Sequence, residues 1–160
     1  MQSKILQIDV RLRWNFVRIA ALALCSWMIA SCGVVHSKPS QSVFVIDGDT
    51  VQSDHHHYRL LGFDTPEVGP RAHCAEEDAL GKRASARLHE IVEAGEIKLV
   101  EHPCTCLPGT EGTSTCNYGR RCAVLLSHGK DVAKTLIEEG LARPYICDGE
   151  HCPQRSDWCH

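Results

Sequence analysis

The stretch Val45-Ile46-Asp47-Gly48-Asp49-Thr50-Val51, with Tyr58-Arg59-Leu60-Leu61-Gly62-Phe63-Asp64-Thr65-Pro66-Glu67 after it, decides the fold. Ser42 to Ile46 is β-branched and aromatic and reads as a strand. Asp47-Gly48-Asp49-Thr50 is turn chemistry, and Val51-Gln52-Ser53 starts a second short strand. A tight connection at Asp54 and His55 leads to a third strand, Tyr58 to Phe63. Thr65-Pro66 stops it, because proline cannot donate to a ladder. Carboxylates thus gather where strands end. If the first and third strands are neighbours, Asp49 and Asp64 converge, and two hard oxygens plus a main-chain carbonyl suit calcium. Either motif alone is an ordinary turn sequence; both together, with Arg59 between them, point to a site.

Downstream the period changes. Leu80, Ala84, Leu88 and Ile91 fall at helical spacing from about Glu76 to Ala94, with Gly95 as the residue after the cap. Glu96 to His102 reads as a strand, 103 to 117 as a loop with three cysteines, and Arg121 to Ser127 as another strand turned at His128-Gly129. Asp131 is placed as the N-cap of a helix through Val132, Leu136 and Ile137 that Gly140 stops. Five short strands with two or three helices predict an α+β chain, mainly β, built on a five-stranded Greek-key barrel of the OB type.

The first residues read differently. Lys4, Arg11, Arg13 and Arg18 precede an uncharged run from Ile19 to Ala30, the pattern of a signal peptide. The run ends at Ile29-Ala30-Ser31-Cys32-Gly33, which resembles a bacterial lipoprotein signal with Cys32 as the lipidated residue. Ordinary cleavage near Ser31, or a retained anchor over Ile19 to Val35, are the alternatives; each predicts export to the cell envelope or beyond. The expected organisation is a signal over 1–31, a tether over 32–41, a domain over 42–145 and a Cys-rich tail over 146–160. Without residues 1–31 the chain keeps 13 basic against 19 acidic residues, a net of −6. Capture of a polyanion by bulk charge is therefore excluded, and any phosphate chemistry must rest on a few placed cations.

Val45–Val51, Tyr58–Glu67, Tyr118-Gly119-Arg120-Arg121 and Gly140-Leu141-Ala142-Arg143-Pro144-Tyr145 together resemble the staphylococcal nuclease (thermonuclease) family, with its motifs in the family's order. The resemblance implies an OB barrel and a Ca²⁺-dependent endonuclease that hydrolyses DNA and RNA with little sequence preference, leaving 3′-phosphate ends. It implies that Asp49, Asp64 and the Thr65 carbonyl ligate Ca²⁺, with Asp47 shaping the charge nearby. Glu67 matches the family's general base, Arg59 and Arg120 its phosphate-binding arginines, and Tyr118 and Tyr145 flank the nucleotide. A monomer is expected, with DNA and RNA as substrates and the membrane as partner through a lipid at Cys32. The family's long C-terminal helix has no counterpart in the tail.

Eight cysteines lie beyond Cys32: Cys74, Cys104, Cys106, Cys116, Cys122, Cys147, Cys152 and Cys159. In an exported chain an even number favours disulfides, with connectivity open. Cys122, in a strand, is alternatively a buried free thiol. His55-His56-His57 reads as a polar hairpin edge, with a metal site as the alternative; zinc at Cys104-Thr105-Cys106 with His102, or at Cys159-His160, lacks the usual spacing. Two other functions are compatible with these residues, a non-catalytic OB-type binding module and a Cys/His metal-binding envelope protein.

Overall fold

The computed structural model describes residues 42–148 and 151–159. All of them fall in the unit Pro39–His160. The signal and lipidation readings, including Cys32, lie outside the described residues.

Eight strands run β1 (Phe44–Asp47), β2 (Thr50–Ser53), β3 (His56–Leu60), β4 (Gly62–Asp64), β5 (Ile97–His102), β6 (Arg121–Ser127), β7 (Lys130–Asp131) and β8 (Arg143–Tyr145). Among the described residues two α-helices, α1 (Ala75–Glu93) and α2 (Val132–Glu138), join the strands, so this part of the chain is α+β with sheet predominating. The larger sheet has the order β1-β2-β3-β6-β5, with β7 paired to β6; β4 and β8 form a separate antiparallel pair. Among the described residues the hydrogen-bonded path is open at β1 and β5.

The expected third strand is two strands. Gly62 takes a left-handed φ of 92°, open to glycine without steric cost, and the chain turns there from β3 to β4. β3 pairs with β2 and, in parallel, with β6, while β4 leaves to pair with β8, Asp64 opposite Arg143. The first and third strands are not direct neighbours, since β2 lies between β1 and β3. Asp49 and Asp64 still meet, through the turn at the end of β1 and the departure of β4. The register shift between Val45 and Asp47 marks a bulge there.

α1 lies against the sheet by the face that carries Gly81, Ala84, Leu88 and Ile91, all buried. Asp131 caps α2 by accepting from the Ala133 N–H at 2.9 Å, and Gly95 and Gly140, at φ 88° and 71°, follow the two helices as expected. Leu60, Phe63, Leu88, Leu125 and Leu136 form the centre of the core. Each contributes about 2 kcal/mol of transfer free energy.

All eight described cysteines are paired: Cys74–Cys159, Cys104–Cys122, Cys106–Cys116 and Cys147–Cys152. Cys122 is therefore not a free thiol, and no thiolate among them is left for zinc. Among its described residues the tail has no helix but is anchored. Trp158 is buried, the Arg143 guanidinium lies 4.2 Å over its ring, and Arg143 donates to the Asp157 carbonyl at 3.0 Å.

Candidate active site

A groove of about 920 Å³ opens where the β1–β2 turn, the end of β4, the segment before β6 and the tail meet. Asp49, Arg59, Asp64, Thr65, Glu67, Tyr118, Arg120 and Tyr145, every site residue read from the sequence within 42–145, line it. Residues spread over nearly a hundred positions are thereby brought to one groove.

Close approach at Gly48 makes this possible. A methyl group there would lie 2.7 Å from the Thr65 hydroxyl and 3.0 Å from its Cβ, so only glycine lets the turn rest on the Asp64-Thr65 segment. Asp49, 6% exposed, accepts from both the Thr65 N–H and the Thr65 hydroxyl at 3.2 Å. Asp64 is 1% exposed. Arg59 bridges the two carboxylates, with Nη1 2.7 Å from Asp49 and Nη2 3.0 Å from Asp64, and also donates to the Phe63 carbonyl at 3.1 Å. Burial pushes the Asp49 carboxyl above its usual range; Arg59 opposes this, and the nearby charges of Asp47 and Asp64 add to it. Asp47 does shape the turn from outside, accepting from the Asp49 N–H at 3.2 Å and pairing with Arg71 at 3.1 Å.

Arg120 enters the groove from the segment before β6. It donates to the Thr50 hydroxyl at 3.0 Å and to the Asn117 side-chain oxygen at 2.8 Å, and its guanidinium lies 5.7 Å from the centroid of the Tyr118 ring. Burial, then the charge of Arg59, lowers its affinity for the proton from the ordinary arginine value, yet a guanidinium this basic stays charged. Tyr118 is 86% exposed and takes a left-handed φ of 59°, a conformation uncommon for a bulky residue, so its ring is held out into solvent beside Arg120.

Three contributors escape the sequence reading. Glu77, buried on α1, accepts from the backbone N–H of Glu67 at 3.2 Å and of His73 at 2.7 Å, and so fixes the segment that carries Glu67. Arg71 pairs with Glu67 at 2.8 Å. The third is Arg155 from the tail. Its Nε lies 3.0 and 3.1 Å from the two Asp64 oxygens, Nη2 donates to the Thr65 carbonyl at 3.3 Å, and Nη1 bonds Glu67. Burial works against the charge on Arg155, but the hydrogen bonds it donates to Asp64 and Glu67 outweigh this and raise its pKa above the ordinary arginine value. Nothing in the sequence of the tail beyond Cys147 signals that Arg155 would meet carboxylates some ninety positions upstream.

Among the described residues no three His, Cys, Asp or Glu side chains converge as a metal cage, and that includes His55-His56-His57. His55 lies in the β2–β3 turn, while His56 and His57 are exposed on β3. The Asp49, Asp64 and Thr65 carbonyl set is of another kind, two buried carboxylates and one backbone oxygen. All three donors are hard, and a guanidinium already rests on two of them as a stand-in cation. The set fits a hard divalent ion that accepts irregular oxygen ligation and keeps several waters.

Comparison with known proteins agrees with this geometry. The chain is 32% identical over 121 residues to "Endonuclease YncB" of Bacillus subtilis (strain 168), covering 69% of this chain and 53% of that protein. It is 33% identical over 102 residues to "SPbeta prophage-derived endonuclease YokF" of the same organism, covering 61% of this chain and 31% of that protein. The chain thus spans about half or less of the length of these relatives. The family described as "Staphylococcal nuclease homologue" matches residues 57–157, a span that includes Arg155. The chain that arranges Asp64, Glu67, Arg59 and Arg120 around this groove belongs to the staphylococcal nuclease family.

Proposed function

We propose that this chain is a Ca²⁺-dependent phosphodiesterase, an endonuclease that hydrolyses DNA and RNA with little sequence preference and leaves 3′-phosphate ends. The observation that carries the reading is the meeting of Asp49, Asp64 and the Thr65 carbonyl with Arg59, Arg120 and Glu67 in one groove. Hydrolysis of a phosphodiester builds negative charge on its equatorial oxygens. Ca²⁺, held by Asp49, Asp64 and the Thr65 carbonyl, would supply positive charge at that point. Arg120 offers a forked guanidinium beside Thr50, and Arg59, held against both carboxylates, adds a second fixed positive charge at the groove. Glu67 accepts the proton of the attacking water. Tyr118 presents an exposed ring on which a base can stack, a contact indifferent to sequence. Tyr145 flanks the same groove.

The larger sheet is read as an OB-type barrel. Residues 1–31 are read as an export signal, with lipid attached at Cys32 and the domain acting as a monomer in the cell envelope. The disulfides suit an oxidising compartment.

Incubation of the oxidised protein with single-stranded DNA, in calcium or in EGTA, tests the reading. Cleavage is expected in calcium alone, with fragments that a polymerase extends only after phosphatase treatment. Glu67→Gln should retain nucleotide binding and lose about a hundredfold or more in rate, within the range that general-base catalysis supplies. Cleavage by Glu67→Gln at the wild-type rate, or cleavage unaffected by EGTA, would overturn the proposal.

A further inference from the structure

We propose that Arg155 is a cation supplied by the chain itself to the oxygen site: the disulfide-held tail seats its guanidinium on Asp64, the Thr65 carbonyl and Glu67, where it competes with the divalent ion and sets the concentration at which that ion binds. The inference rests on the reading of Asp49, Asp64 and Thr65 as ligands.

An arginine on a free tail would sample many partners at comparable cost. Arg155 does not, because it is held from both sides: Cys152 is bonded to Cys147 and Cys159 to Cys74 at the start of α1. Between Arg155 and Cys159, Trp158 is buried beneath Arg143, and Arg143 grips the Asp157 carbonyl. The tether keeps the guanidinium at high effective concentration over one target. That target is specific, since Arg155 meets both oxygens of Asp64, the adjoining backbone oxygen and the Glu67 carboxylate together. These oxygens include two of the three ligands assigned to the ion.

Charge makes the two occupants exclusive. Asp64 is already neutralised by Arg59 at 3.0 Å and Arg155 at 2.9 Å. A divalent ion entering the same oxygens meets the repulsion of both guanidiniums and finds the Asp64 lone pairs engaged. Arg155, whose side chain is about half exposed, is the one with solvent to turn into; Arg59 is enclosed. The apparent affinity for the ion is then the intrinsic affinity reduced by the fraction of molecules in which Arg155 has swung away. Arg155 acts on the reaction through Asp64 and Glu67, as a positioning residue.

The test is calcium binding by calorimetry, with calcium-dependent thermal shift beside it, on the oxidised full chain as wild type, Arg155→Gln and Arg155→Lys. Arg155→Gln is expected to bind calcium about tenfold tighter or more, as an occupied fraction of nine in ten or above requires. Arg155→Lys, which keeps the charge and loses the fork, should fall between. The calcium concentration for half-maximal DNA cleavage should move in the same direction. Equal or weaker calcium binding by Arg155→Gln overturns the inference; if wild type still cleaves in calcium, the nuclease reading survives that failure. Tighter binding by Arg155→Gln with no cleavage by any form supports the competition and sinks the nuclease reading. No calcium binding by any of the three proteins defeats both.

Discussion

Asp49 is asked to be charged in a place that favours the neutral form. Its carboxyl is buried, Asp47 and Asp64 lie nearby, and Arg59 only partly offsets them, so its pKa stands above the ordinary value. A carboxyl whose folded pKa is raised stabilises the fold below the unfolded value, about 3.9, and that contribution is lost as pH rises through the folded value. Asparagine keeps the shape and never titrates. In urea unfolding with chelator present, the stability of wild type relative to Asp49→Asn should therefore shrink as pH rises above about 4, the unfolded value. A difference that grows instead would mean that the pair with Arg59 outweighs burial. The same variant should lose the calcium-induced rise in melting temperature, because on the proposed reading Asp49 is also a calcium ligand.

At the scale of elements, the site depends on how closely α1 approaches the segment 66–68. A methyl group at Gly81 would lie 2.6 Å from the carbonyl oxygens of both Pro66 and Glu67, and 2.8 Å from the Val68 side chain. Backbone oxygens cannot step aside as a flexible side chain can. Gly81→Ala gains about 1 kcal/mol of helix propensity and costs about 1–3 kcal/mol of overpacking, so the net loss of stability is small, about 1 kcal/mol. Its effect on chemistry is larger. The segment that must move carries Glu67, and Glu77 on the same helix holds the Glu67 N–H. A displacement near 1 Å of a catalytic group costs about a hundredfold. We expect kcat/KM on an oligonucleotide to fall at least about tenfold while the urea midpoint moves little. Unchanged kcat/KM would show that the contact between α1 and this segment does not position Glu67.

Across the whole molecule, what was legible in the sequence is what is local. The helix period of Ala84, Leu88 and Ile91, the cap at Asp131 and the turn glycines are local patterns and reappear at their positions. The candidate site residues were picked out through motifs, and the structure gathers them along one groove. Arg155 and Glu77 were not, because their roles depend on contacts between distant segments. Arg155 reaches Asp64 across a separation of 91 residues, and nothing near Arg155 in the sequence announces it. The split of β3 from β4 was hidden because Tyr58 to Phe63 has continuous strand propensity and only Gly62 departs from it.

The cysteine pairing was equally illegible, and it carries the last expectation. In the chain-entropy account a cross-link stabilises in proportion to the logarithm of the loop it closes. Cys74–Cys159 spans 85 residues, Cys104–Cys122 spans 18, Cys106–Cys116 spans 10 and Cys147–Cys152 spans 5. The corresponding contributions are about 4.5, 3, 2.5 and 2 kcal/mol. The longest closes the tail onto the start of α1, and so couples the stability of the domain to the seating of Arg155. Paired Cys→Ser variants, unfolded in urea, should lose stability in that order, with Cys74→Ser/Cys159→Ser the weakest protein and Cys147→Ser/Cys152→Ser the mildest change. If Cys74→Ser/Cys159→Ser instead cost least, the tail would be an appendage, held in place by its own bridge and by Trp158, and the domain would not depend on it for stability.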